Sequence, residues 1–138
     1  MDFETRIIEA GGLQFETDVA GDGPKLALLL HGFPETKFSW RHQVPVLVDL
    51  GYTVWAPNMR GYGRSSRPAG VGAYRLEQLI GDVKALTAVA AGEGLQPGVL
   101  VAHDWGGAVA WASLLSGAVT YERFIPMNIP HPLLFRRR

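Results

Sequence analysis

The sequence predicts an α/β fold, a mostly parallel sheet with flanking helices, and three observations carry that prediction. Residues 25–30 (KLALLL), 52–56 (YTVWA) and 98–102 (GVLVA) are short, continuous apolar runs, as expected of strands buried on both faces. Between them lie segments whose apolar residues recur at helical spacing. Strands alternating with helices imply βαβ units, and in such a sheet sites form beyond the carboxyl ends of the strands.

Taken in order, residues 6–9 and 13–19 are strand candidates joined at Gly11-Gly12, a hairpin signal over 5–19. Gly21-Asp22-Gly23-Pro24 is a strong turn. The 25–30 strand ends at the Gly/Pro loop HGFPE, residues 31–35. Trp40, Val44, Leu47 and Val48 predict a helix over 39–50, stopped by Gly51. The 52–56 strand runs into a long loop rich in Gly, Ser, Pro and Arg. Leu76, Leu79, Ile80, Val83, Leu86, Val89 and Ala90 trace one face of a helix over 74–91. The 98–102 strand follows, then a nearly all-apolar helix to Leu115 that should be buried. Residues 124–128 (FIPMN) form the last strand candidate, broken by Ile129-Pro130-His131-Pro132. The βαβ part thus spans 25–128.

Composition narrows the function classes. The chain has 138 residues, 47% hydrophobic, enough for one domain with its own core. Lys+Arg and Asp+Glu both number 13, so nothing points to a nucleic-acid partner. Arg136-Arg137-Arg138 is too short a basic run to act as an arm. With no cysteine, disulfides and thiolate metal sites are excluded, which fits a reducing cytoplasm. The N-terminus has no signal-peptide pattern, and no apolar run approaches a membrane span. A cytoplasmic protein without metal or cofactor is expected.

The stretch VLVAHDWGGAVAWA, residues 99–112, organises the rest. It reads as a buried strand, a very tight turn at Asp104 and a buried helix. A reactive residue on such a strand-to-helix turn needs small neighbours two before and two after it. Ala102 and Gly106 meet that need, flanking His103 and Asp104, and Gly107 adds room. An Asp at the apex means attack by a carboxylate. The stretch alone fits an ordinary crossover with Asp capping the helix equally well. HGFPE lies at the same predicted sheet edge. A backbone N–H of that loop and the N–H of Trp105 could form an oxyanion hole, worth roughly 3–4 kcal/mol per donor. RGYGRSS at 60–66 lacks phosphate-loop spacing and reads as a structural loop under the site. His42 and the Trp40 and Trp111 positions read as packing.

HGFPE at 31–35, APNMRGYGRSSRP at 56–68 and AHDWGGAVAW at 102–111, in this order and spacing, resemble the α/β-hydrolase superfamily. More narrowly, they are similar to its epoxide hydrolase branch. Two positions depart from the family: Ala102 stands where Gly is usual, and Asn58 where Asp is common. The resemblance implies a single partial core domain over 1–138, truncated before the cap and the last strands. Residues 129–138 would start the connection to a helical cap. Asp104 would be the nucleophile, opening an epoxide or other small electrophile to a covalent ester. Phe33 and Trp105 would be the oxyanion donors. His31, Gly32 and Pro34 would shape the donor loop and, with Trp105, line the substrate pocket. Haloalkane and haloacetate dehalogenases share an Asp nucleophile, but Phe33 stands where the former commonly carry Asn. A non-catalytic binding module on the same scaffold is the alternative of a different class.

The family's water-activating acid and His follow the nucleophile along the chain. After Asp104 the only acid is Glu122 and the only His is His131. Glu122 precedes the last strand and so falls at the wrong sheet edge, and the resemblance gives His131 no role as base. The chain alone is therefore expected to be inactive in turnover. It is also expected to expose the 124–128 strand as an edge open to self-association.

Overall fold

The computed structural model describes residues 3–128, so the expected cap connection at 129–138, with His131, lies outside the described residues. β1 (Glu4–Ala10) and β2 (Leu13–Ala20) form the expected hairpin. Gly11 and Gly12 turn it, both at positive φ, as a two-residue hairpin turn requires. β3 (Lys25–Leu30), α1 (Gln43–Asp49), β4 (Tyr52–Pro57), α2 (Leu76–Gly92), β5 (Gln96–His103), α3 (Trp105–Leu115) and β6 (Arg123–Met127) follow in the expected alternation.

The sheet order is β1-β2-β4-β3-β5-β6. β3 pairs parallel with both β4 and β5, and β5 pairs parallel with β6. β2 joins β4 antiparallel, so the hairpin extends the sheet rather than standing apart. The chain lays β4 on one side of β3 and β5 on the other. That reversal makes the carboxyl ends of β3 and β5 a topological switch point, where α/β sheets open a crevice. HGFPE and HDWGG are the two loops that leave it.

Both faces of the central strands are covered, which is why their sequences are continuous apolar runs. Leu26, Leu28 and Leu30 of β3 meet Leu79, Val83 and Leu86 of α2 and Val109 of α3. Ala27 and Leu29, pointing the other way, meet Val44 and Leu47 of α1. Period-two alternation thus splits one strand between two cores.

Two helix starts differ from expectation, and so does the burial of a third helix. The helix expected over 39–50 is a 3-10 turn at Lys37–Trp40 followed by α1 from Gln43. Pro45 explains the break: it has no N–H to donate and is tolerated in a first turn, so the helix restarts two residues before it. Val71–Tyr74 is also a 3-10 turn, and an extended Arg75 delays α2 to Leu76, which is exposed. α3 is buried through its middle, while Trp105 and Leu115 at its ends are exposed.

Candidate active site

The turn between β5 and α3 takes the shape its small residues allow. Asp104 sits at φ 54°, ψ −121°, a left-handed conformation that is strained for any residue but glycine. It is the N-cap residue of α3 by position, yet its side chain makes no capping hydrogen bond. The capped-crossover reading therefore loses its stabilising contact. Instead the carboxylate Oδ2 accepts from the Phe33 N–H across the crevice, at 3.4 Å. The backbone of Asp104 is tied down, its N–H donating to Met127 O (3.2 Å) and its carbonyl accepting from Ala108 N–H (3.1 Å).

Close approach explains the glycines. A Cβ on Gly106 would stand 2.5 Å from the carbonyl oxygens of Leu30 and His31, and one on Gly32 would stand 2.6 Å from Asp104 Cβ. Ala102 is fully buried beside them, and Gly107 is buried in the first turn of α3. An alanine two residues before Asp104 is thus accommodated with the tight turn intact.

The HGFPE loop is held from both ends. His31 is buried, with Nδ1 3.0 Å from Gly32 O and Nε2 accepting from Met59 N–H at 3.0 Å. This pairing uses the neutral ring, and burial lowers its pKa below the ordinary value. A turn closed by Glu35 N–H donating to Gly32 O (2.8 Å) puts Phe33 and Pro34 at its corner. Phe33 is 69% exposed, and its peptide bond to Pro34 is cis. Glu35 Oε1 lies 2.8 Å from Nδ1 of His103, whose Nε2 is 3.1 Å from the Asn128 side-chain amide. The imidazole next to Asp104 is thereby engaged on both nitrogens.

A cavity of about 340 Å³ opens beside this turn. His31, Gly32 and Trp105, three of the four residues expected to line a pocket, are in its wall with Phe33. Pro34 is exposed and is not part of that wall. The rest of the wall comes from residues that sequence reasoning did not single out: Met59, Arg60, Gly61, Tyr62, Tyr74 and Leu79. Tyr62 packs edge-on against the His31 ring with centroids 4.6 Å apart. Burial raises its phenol pKa, and the charge of the Asp104 carboxylate raises it further. Among the described residues, no group of three or more His, Asp or Glu side chains is placed to hold a metal ion.

The loop after β4 is fastened underneath. Ser65 Oγ donates to Asn58 O (2.6 Å) and accepts from Glu16 N–H (2.9 Å). Asn58 accepts from Lys37 N–H (2.7 Å) and donates to Glu16 Oε1 (2.8 Å). That second bond accounts for Asn at this position: an Asp would set a carboxylate against Glu16. Arg60 is paired with buried Asp82 of α2. The signal for that pair was an acid on the apolar face of a helix, between Leu79 and Val83. Glu122 lies at the opposite edge, where it accepts from Lys25 Nζ at 2.9 Å.

A family model described as "alpha/beta hydrolase fold" matches residues 26–116, and the chain belongs to that family. Its relatives place it further. Epoxide hydrolase A of Mycobacterium tuberculosis is 39% identical over 126 residues, 91% of this chain and 38% of its own length. The AB hydrolase superfamily protein YfhM of Bacillus subtilis is 40% identical over 129 residues, 92% of this chain and 44% of its own. Among solved structures, epoxide hydrolase A from Mycobacterium thermoresistibile superposes with a TM-score of 0.85 at 37% identity, covering 94% of this chain and 40% of that one. This chain is epoxide hydrolase-like and spans about two fifths of the length of such relatives. No helix among the described residues is long and apolar enough to cross a membrane.

Proposed function

We propose that Asp104 is the nucleophile of an epoxide-opening hydrolase, and that this chain carries the alkylation half of its chemistry. An oxygen of the Asp104 carboxylate bonds to an epoxide carbon while that carbon's bond to the ring oxygen breaks. The released alkoxide takes up a proton, leaving a hydroxyalkyl ester on the protein. Water attack on the ester carbonyl then develops an oxyanion, for which the N–H groups of Phe33 and Trp105 are the donors. Trp105 begins α3, so its N–H is one of the helix's unpaired first-turn donors. The observation that carries this reading is the Asp104 carboxylate itself, free of capping duty and directed at the Phe33 N–H.

Ester hydrolysis by the 138-residue chain is slow. Glu122 is engaged with Lys25 at the far edge of the sheet, and the His103 ring is held on both nitrogens. Among the described residues neither of these groups is free to act as general base at Asp104, and the lack of one costs on the order of a hundredfold to ten-thousandfold. Styrene oxide incubated with the chain should give a single covalent adduct at Asp104 by intact-mass and peptide mapping, absent in Asp104→Asn. No adduct removes the nucleophile assignment, and steady multiple turnover at neutral pH removes the claim of slow hydrolysis. A non-catalytic binding module would keep its ligand affinity in Asp104→Asn and have no adduct to lose. The reading goes with a cytoplasmic location and with self-association through the outer strand β6.

A further inference from the structure

Arg60 stands in the wall of the cavity beside Asp104, where a free guanidinium would attract anions. It is not free. Nε donates to Asp82 Oδ2 (2.6 Å), Nη1 to Ala73 O (2.6 Å), and Nη2 to both Asp82 Oδ1 and Gln78 O. Both side chains are more than nine-tenths buried, so the two-point ion pair is desolvated and each charge cancels the other. His31 is committed in the same way, with both ring nitrogens on backbone groups. The remaining polar groups of the wall are the Tyr62 and Tyr74 hydroxyls and the Trp105 indole, all uncharged, while Phe33, Met59 and Leu79 are apolar.

We propose that the Arg60–Asp82 pair is a specificity determinant of this pocket: cancelling the arginine's charge makes the cavity accept an uncharged aryl or alkyl group and reject an anionic one. The proposal rests on the epoxide reading for the reacting atoms and adds the chemistry of the arm that does not react. A carboxylate placed here would face Asp104 with no cation left to receive it. The aromatic side chains Tyr62, Tyr74 and Trp105 in the wall suit a flat apolar ring, and about 340 Å³ is room for a small one. The pair also holds the wall in shape. Arg60 ties its own loop to Ala73 and Gln78, and Met59, Tyr62, Tyr74 and Leu79 all come from the stretch so clamped.

Two probes of one skeleton test this. 1-Phenylethane-1,2-diol is neutral, and mandelate carries a carboxylate in place of its terminal alcohol. In NMR titrations of the 138-residue chain, the diol should shift Tyr62, Tyr74 and Trp105, and mandelate should bind at least about tenfold more weakly. Asp82→Asn keeps the shape and uncovers the arginine's charge, so the mandelate-to-diol affinity ratio should rise about tenfold. The double variant Arg60→Met, Asp82→Asn carries neither charge and should return the ratio to its starting value. A pair that acts on structure alone moves both probes together and leaves the ratio unchanged. Equal binding of the probes by the wild-type chain, no shifts at the three aromatic residues, or a ratio unmoved by Asp82→Asn overturns the proposal. Where thermal unfolding shows that Asp82→Asn does not fold, the wild-type contrast and the double variant decide. Alkylation of Asp104 is read separately by mass. Its failure removes the epoxide reading and leaves the contrast standing, whereas a lost contrast with alkylation intact removes only this proposal.

Discussion

Asp104 holds a backbone conformation that costs a non-glycine residue of order 1–3 kcal/mol, and its side chain returns nothing to α3 in capping. Asp104→Gly should therefore stabilise the chain by about 1 kcal/mol in urea unfolding while abolishing the adduct. Unchanged or lower stability would show that the turn is unstrained. His31 has the opposite character, bound to structure through both nitrogens. Burial lowers its pKa, so the unfolded chain binds the proton more strongly than the folded one. Its contribution to stability is present above the unfolded value near 6.5 and is lost as pH falls through that value toward the folded one, by up to about 1.4 kcal/mol per pH unit. The lowered Glu16 carboxylate acts below about pH 5, and the raised Asp82 carboxylate, whose contribution to stability falls as pH rises, opposes the His31 slope and does not create it. Between pH 7.5 and 5.5 the wild-type stability should therefore fall on acidification, and His31→Gln should flatten that slope whatever its absolute stability. At this scale Asp104 was legible because its small neighbours announce a tight turn. The bonds of His31 to Gly32 and Met59 were not, since they depend on how two loops from different strands meet.

The elements are joined where backbones come closest, and two glycines separate packing from propensity. In Gly106 a Cβ would strike the carbonyls that end β3, and neither backbone has a flexible end to yield. Gly106→Ala should cost about 1–3 kcal/mol as overpacking. Gly81 lies on the exposed side of α2, and a methyl group there would meet nothing within 4 Å. Gly81→Ala should therefore stabilise by about 0.5–1 kcal/mol, the ordinary gain of alanine over glycine inside a helix. Chemical denaturation of both variants checks the pair, and equal signs would mean that the close approach at Gly106 does not limit the fold. β3, β4 and β5 could be read from sequence because strands covered on both faces need no partner to declare themselves. The start of α1 could not be read from apolar spacing alone, because Pro45 overrides the period of Trp40, Val44 and Leu47. The clamp between Arg60 and Asp82 was hidden for another reason: an acid on an apolar helix face shows that a partner is needed but not which loop supplies it.

For the molecule as a whole, the sheet's two outer strands are unlike each other. β1 is one half of a hairpin whose other half is hydrogen-bonded along its length. β6 pairs with β5 on one side and is the last strand of the described sheet on the other. Its Ile125 is 43% exposed and shares a depression with Leu47, Leu50, Tyr52, Val99 and Arg123, so edge and face are open together. Sequence patterning reached this point, since an apolar strand at the end of an alternating series has one neighbour fewer. It did not show the depression, which needs α1 and β6 brought side by side. The Arg123–Met127 edge should draw two copies of the chain together. Sedimentation velocity should then show concentration-dependent association. Ile125→Lys removes the apolar contact and sets like charges across the edge. Since burying one such side chain is worth about 1.5–3 kcal/mol, the variant should weaken association by roughly tenfold to a hundredfold. Its unfolding midpoint should stay close to wild type, because exposed substitutions usually shift stability by no more than about 0.5 kcal/mol. A wild-type chain that sediments as a monomer at every concentration, or a variant that associates as strongly as wild type, shows that β6 is not a contact surface.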